Sequence, residues 1–75
     1  MPFVKPTISA SEAILARQVR KELKMSQSQF SSAFGIPLTT LQNWEQGRRR
    51  IDKTTVSYLR TIRRFPIEVQ RALTE

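Results

Sequence analysis

The sequence predicts an all-α fold: five short helices packed as one domain over residues 10–75, behind a short arm over residues 1–9. Three observations lead there. Apolar residues recur at the three-and-four spacing of helices, as in Phe30, Ala33 and Phe34. Residues that start and stop helices stand at the ends of such runs, among them Ser26 with Gln29, Gly35, Pro37, Gly47, Asp52 and Pro66. Finally, a chain of 75 residues allows one domain. A domain of that size buries only about 60% of its unfolded surface, so its core must be compact and its stability modest.

The first nine residues, MPFVKPTIS, contain Pro2 and Pro6 and show no helical period, so they read as an arm. The arm is a frayed terminus, a short strand pairing across a dimer, or a partner-binding segment; Phe3, Val4 and Ile8 are the apolar anchors that either of the last two would use. Ser9 or Ser11 caps the first helix, with Glu12 near its positive end. Leu15, Ala16, Val19 and Leu23 form its inward stripe as it runs to Lys24, Arg20 lies beside the stripe, and Arg17, Lys21, Glu22 and Lys24 lie elsewhere. Ser26 and Gln29 have the spacing of a capping box, so a second helix begins at Gln27 and closes at Gly35 in the left-handed conformation. Ile36 and Pro37 form an elbow. Pro37, with a fixed φ and no N–H, leads into a third helix over residues 38–46, which Gly47 ends. After a basic loop, Asp52 caps a fourth helix over residues 53–64 with Val56, Leu59 and Ile62 inward, joined by Tyr58 or Phe65 at the edge. Pro66 opens a last helix through about residue 73 that presents Ile67, Val69, Ala72 and Leu73.

Two short helices meeting at an elbow between Phe30 and Gly47 are a helix-turn-helix signal. On a wheel of about 100° per residue, Leu41 and Trp44 fall on one side of the third helix while Thr39, Gln42, Asn43 and Gln46 fall on the other. That outer face carries no charge. A solvated helix usually carries Lys and Glu there, whereas Thr, Gln and Asn are short or planar donor-acceptor groups suited to base edges. An ordinary polar surface is the alternative, and Arg48, Arg49 and Arg50 directly after the helix weigh against it. Trp44 shares the face of Leu41, which places its indole in the core rather than against a base.

The run TTLQNWEQGRRR resembles the x-T-[IVL]-x-x-W-E-x-G-x-[RK] signature of Xre/phage-repressor helix-turn-helix proteins. SQSQFSSAFGIPLTTLQNWEQG is similar to the version found in HigA-type antitoxins and related regulators, and the likeness extends over roughly residues 15–73. The resemblance implies base reading by Leu38 and Thr39 and, one turn later, by Gln42 and Asn43. Leu38 departs from the polar residue common at its position, and would meet a thymine methyl instead. Phosphate contacts are implied at Gln27, Gln46, Arg48, Arg49 and Arg50. An ion pair between Arg20 and Glu45 is implied as well. It makes physical sense because Glu45 lies about 40° from Leu41 on the wheel and faces partly inward, where an unpaired carboxylate is costly. A Pro or Ser-Pro commonly starts the fourth helix in this family and is missing here, so the path of residues 50–53 is not given by the likeness. The resemblance further implies a transcriptional repressor and a type II antitoxin that represses its own operon and binds a ribonuclease toxin.

Charge and composition set the partner class. The formal net charge is +7, from 13 basic and 6 acidic residues. Arg48, Arg49, Arg50, Lys53, Arg60, Arg63 and Arg64 crowd the second half, with Asp52 among them. Such a patch attracts polyanions. Beside a polar reading helix that polyanion is duplex DNA; a membrane surface would call for a broad exposed apolar face opposite the cations. With no cysteine and no histidine there is no thiolate or imidazole to hold a metal or serve as a base, and the six acids show no paired spacing on one face. The expectation is therefore a non-enzymatic protein with no cofactor. No run is long and apolar enough for a signal or a spanning helix, which makes the cytoplasm the expected location. A single recognition helix covers only a few base pairs, so a homodimer on half-sites roughly 34 Å apart is expected. Phe65, Ile67, Val69 and Leu73 are the favoured contact, with the arm as the second candidate. The competing class is an interaction module whose basic surface neutralises an acidic protein partner and whose DNA affinity is incidental.

Overall fold

Helix signals in the sequence become five helices in the computed structural model, which describes residues 10–48 and 51–74. They are α1 (Ala10–Glu22), α2 (Gln27–Phe34), α3 (Leu38–Glu45), α4 (Lys53–Arg64) and α5 (Pro66–Thr74), with no strand among the described residues. The arm, with Ser9 at the capping position before α1, lies outside the described residues, as do Arg49 and Arg50. Ser11 falls inside the first turn of α1.

The helix ends explain the chain reversals. Both halves of the capping box at α2 are made: Ser26 Oγ accepts from the Gln29 N–H at 3.1 Å, and Gln29 Oε1 accepts from the Ser26 N–H at 2.8 Å. Asp52 accepts from the Thr55 N–H at 2.8 Å and so caps α4. That backbone hydrogen bond holds the Asp52 carboxyl below its usual range. Gly35 (φ 67°) and Gly47 (φ 72°) close α2 and α3 in the left-handed region. The first helix stops two residues before the sequence suggests. Lys24 takes the same left-handed conformation (φ 58°), with the Met25 N–H on the Arg20 carbonyl at 3.2 Å and the Lys24 N–H on the Lys21 carbonyl at 3.0 Å. This is the Schellman arrangement built on a lysine.

The core is drawn from four of the helices and two connections. Ala16 and Val19 of α1, Phe30 and Phe34 of α2, Leu41 and Trp44 of α3, and Leu59 and Ile62 of α4 are buried, together with Ile36 at the elbow and Ile51 before α4. The two phenylalanine rings stand 4.8 Å apart at a tilt of 53°, a favourable aromatic arrangement. Packing places α1 against both α3 and α4, α2 against α3 and α5, and α4 against α5. Leu15, Leu23, Ala33, Val56 and Tyr58 pack on this core half-buried. The last helix differs from the others, since none of its residues is fully buried. Val69 leans on the core, while Ile67 and Leu73, with Phe65 just before the helix, remain exposed. Of the four residues expected at a dimer contact, Val69 is thus turned inward and the other three face solvent.

Candidate nucleic-acid interface

The third helix divides into a buried face and an open one. Pro37 precedes it at φ −55°, and the Pro37 carbonyl accepts the Leu41 N–H at 3.0 Å, which starts the helix without a side-chain cap. At the other end the Gly47 N–H meets the Trp44 carbonyl at 3.1 Å and the Arg48 N–H meets the Asn43 carbonyl at 2.9 Å. Leu41, Trp44 and Glu45 are buried. Leu38, Thr39 and Gln46 are exposed, and Gln42 and Asn43 are half-exposed between them. The burial of Trp44 leaves its ring facing core side chains rather than solvent.

Glu45 is the charged member of the buried face, with its side chain 3% exposed. Arg20 of α1 meets it with two parallel hydrogen bonds, Nε to Oε2 at 2.7 Å and Nη2 to Oε1 at 2.8 Å. Arg20 Nη1 also donates to the Met25 carbonyl at 3.1 Å, which fastens the α1–α2 turn to the same pair. Burial pushes the Glu45 carboxyl up. The hydrogen bonds from Arg20 and Gln27, with the charges of Arg20 and Arg17, outweigh it and hold the group below its ordinary range. The hydrogen bond to Glu45 raises Arg20 above its already high value.

Two partners of Glu45 were not expected from the sequence. Gln27 Nε2 donates to Glu45 Oε1 at 3.1 Å, so the amide nitrogen of a residue expected on a phosphate is turned onto α3. Arg17, 52% exposed, brings Nε to 3.9 Å from Glu45 Oε1 and donates from Nη2 to the Glu45 carbonyl at 3.4 Å. A usable signal for Arg17 existed: it stands three residues before Arg20, on the same face of α1. The N–H of Gln27, in the first turn of α2, has no partner within that helix.

The elbow is braced from behind. Tyr58 of α4 donates its hydroxyl to the Phe34 carbonyl at 2.7 Å, and burial raises its phenol above the ordinary range. Ser31 Oγ bonds the Ile36 carbonyl. A Cβ placed on Gly35 would lie 3.8 Å from Leu73 Cδ1, so α5 reaches the same turn. Around this motif the cations stay outside: Arg48 follows α3, and Lys53, Arg60, Arg63 and Arg64 are exposed along α4. No helix among the described residues is long and apolar enough to cross a membrane.

A five-helix domain whose second and third helices meet at a braced elbow, with the third offering an uncharged polar face, is a helix-turn-helix domain. The helix-turn-helix family model matches residues 17–57. A crystal structure of an HTH XRE-family-like protein from Agrobacterium tumefaciens is similar to this chain, with a TM-score of 0.75 and 39% identity over 79% of this chain and 95% of that one. No curated protein matches it. The chain belongs to the Xre family of helix-turn-helix proteins, a family of DNA-binding transcription regulators.

Proposed function

We propose that this protein is a sequence-specific transcriptional repressor that reads duplex DNA in the major groove with α3, as a homodimer on a palindromic operator in the cytoplasm, without catalysis. The observation that carries the proposal is the division of α3: Leu41, Trp44 and Glu45 anchor it, and Thr39, Gln42, Asn43 and Gln46 look outward with no charge among them. A helix N-terminus laid in the major groove brings its first residues and those one turn later to base edges. Gln42 and Asn43 supply paired donors and acceptors there, Thr39 a hydroxyl and Leu38 an apolar contact for a thymine methyl. Arg48 and Gln46, with Arg49 and Arg50 beyond them and the Gln27 N–H across the elbow, are suited to the flanking phosphates.

Exposed Phe65, Ile67 and Leu73 support a contact between two copies through the C-terminal segment. The same exposure suits a toxin partner, and the resemblance to HigA-type regulators favours a type II antitoxin that binds a ribonuclease toxin and represses its own operon. The competing reading is a module that binds an acidic protein and touches DNA only incidentally. Selecting DNA from a random pool with the purified protein separates them. The repressor yields one palindrome whose half-site centres are about one turn, roughly 34 Å, apart. The interaction module yields weak binding with no sequence in common, and that result would end the repressor reading.

A further inference from the structure

Gln27 opens α2 and carries two separate hydrogen-bonding capacities, a backbone N–H at the helix N-terminus and a side-chain amide. One N–H of the amide is used inside the molecule: Nε2 donates at 3.1 Å to Glu45 Oε1, the oxygen that also takes Arg20 Nη2 at 2.8 Å. Arg20 reaches this carboxylate from α1, Gln27 reaches it from α2, and Glu45 is the last residue of α3. Three helices are therefore tied at one buried carboxylate. A hydrogen bond to an ionised, desolvated acceptor is stronger than one between neutral groups and more demanding of geometry. Ion pairing to Arg20 joins the end of α3 to α1, and the bond from Gln27 joins the same end to α2. Gln42 and Asn43 stand less than one turn before Glu45, so a small rotation at that end moves both of their side chains.

We infer that Gln27 is a positioning residue for base reading: through its hydrogen bond to Glu45 it sets the rotation of α3. The inference rests on the DNA-reading function proposed above. Two substitutions test it, Gln27→Met, which keeps length and removes the donor, and Gln27→Lys, which returns a donor. The first readout is the ratio of affinities for the selected operator and for a site changed at one base step facing Gln42 or Asn43. The second is amide hydrogen exchange across α3 in the free protein. Removing one hydrogen bond to a charged group should lower the affinity ratio about tenfold and speed exchange in α3 about tenfold. Gln27→Lys should restore both quantities. A phosphate ligand behaves otherwise: Gln27→Met would weaken every sequence alike and leave the ratio and the exchange unchanged, and this outcome overturns the inference. Unchanged binding and exchange overturn it as well. A wild-type protein without sequence preference would remove the DNA-reading function, and the exchange measurement would then decide alone, acceleration with rescue by Lys upholding the link to α3 and no acceleration refuting it.

Discussion

Removing Arg20 tests the anchoring of α3 most directly. In Arg20→Met the Glu45 carboxylate, its side chain 3% exposed, loses two hydrogen bonds of 2.7 and 2.8 Å. Breaking a buried pair in this way costs about 3–5 kcal/mol. Gln27 at 3.1 Å and Arg17 at 3.9 Å remain near the carboxylate, which puts the expected loss at the lower end, about 3 kcal/mol. A domain of this size has a total stability on the order of 4–11 kcal/mol, and each kcal/mol moves Tm by about 4–8 °C. Arg20→Met should therefore lower Tm by roughly 12–24 °C in a circular-dichroism melt at pH 7. The double variant Arg20→Met/Glu45→Leu removes both charges from the buried site and should recover to within about 1–2 kcal/mol of the wild type in urea titrations. Acid supplies an independent check. Glu45 is held below its ordinary value of 4.5, so its contribution is complete above that pH and is lost as pH falls through the lower, folded value. Wild-type stability should hold from neutral pH down to about 5 and decline below 4.5, less steeply in the double variant. A loss under about 1 kcal/mol in Arg20→Met would mark the pair as no more than a surface ion pair and refute the reasoning.

Four further outcomes are expected, the first three from the proposed function and the last from the backbone at Lys24. Gln42→Ala or Asn43→Ala should each cost about 1–3 kcal/mol on the operator and relax preference at one base step, as read by DNA titration; full affinity and an unchanged selected sequence in both would remove them from base reading. Arg48→Gln should weaken binding to all sequences alike and reduce the slope of log affinity against log salt by about one, whereas a changed base preference with the slope intact would contradict a phosphate role. Phe65→Asp/Ile67→Asp alters two exposed residues and should give a folded monomer with greatly weakened operator binding and much of its non-specific binding kept; sedimentation that still shows the dimer on DNA would move the contact to the arm. Lys24→Gly should raise stability by about 0.5–1 kcal/mol in urea unfolding, because the left-handed backbone at φ 58° strains a side chain and not a glycine, and a destabilised variant would show that the lysine side chain contributes something of its own.

Much of the fold was legible because its signals are local. The capping box at Ser26 and Gln29, the Asp52 cap, Gly35 and Gly47 each act within a few residues, and the structure uses all of them. The two faces of α3 were legible for the same reason, since helical periodicity alone separates Leu41 and Trp44 from Gln42 and Asn43. What stayed hidden depends on tertiary neighbours. Nothing in its residue type announced that Lys24 would take a glycine's conformation at the end of α1. Ile36 and Ile51 sit in connections, where no periodicity marks them as core, and both are buried. Val69 looked free because its helix is apolar on several sides, and only the placement of α5 against α2 and α4 turns it inward. The amide of Gln27 was invisible because its acceptor lies 18 residues away on another helix.

The braced elbow carries a consequence for regulation. The turn between α2 and α3 is held from behind by the Tyr58 hydroxyl on the Phe34 carbonyl, and Leu73 lies beside Gly35, so both α4 and α5 reach the turn that leads into α3. Were two copies to meet through Phe65, Ile67 and Leu73, the contact would take up a leucine that also lies beside that turn. Thermodynamic reciprocity then applies: a given factor by which association of two chains strengthens the grip on an operator is the factor by which the operator strengthens association. A partner protein seated on the same apolar residues would draw on this coupling too, tightening the grip if it holds α5 in place and loosening it if it pulls Leu73 away from Gly35. On the DNA-reading function proposed above, the helix laid in the groove would then answer to the opposite end of the chain, through one hydroxyl and one leucine.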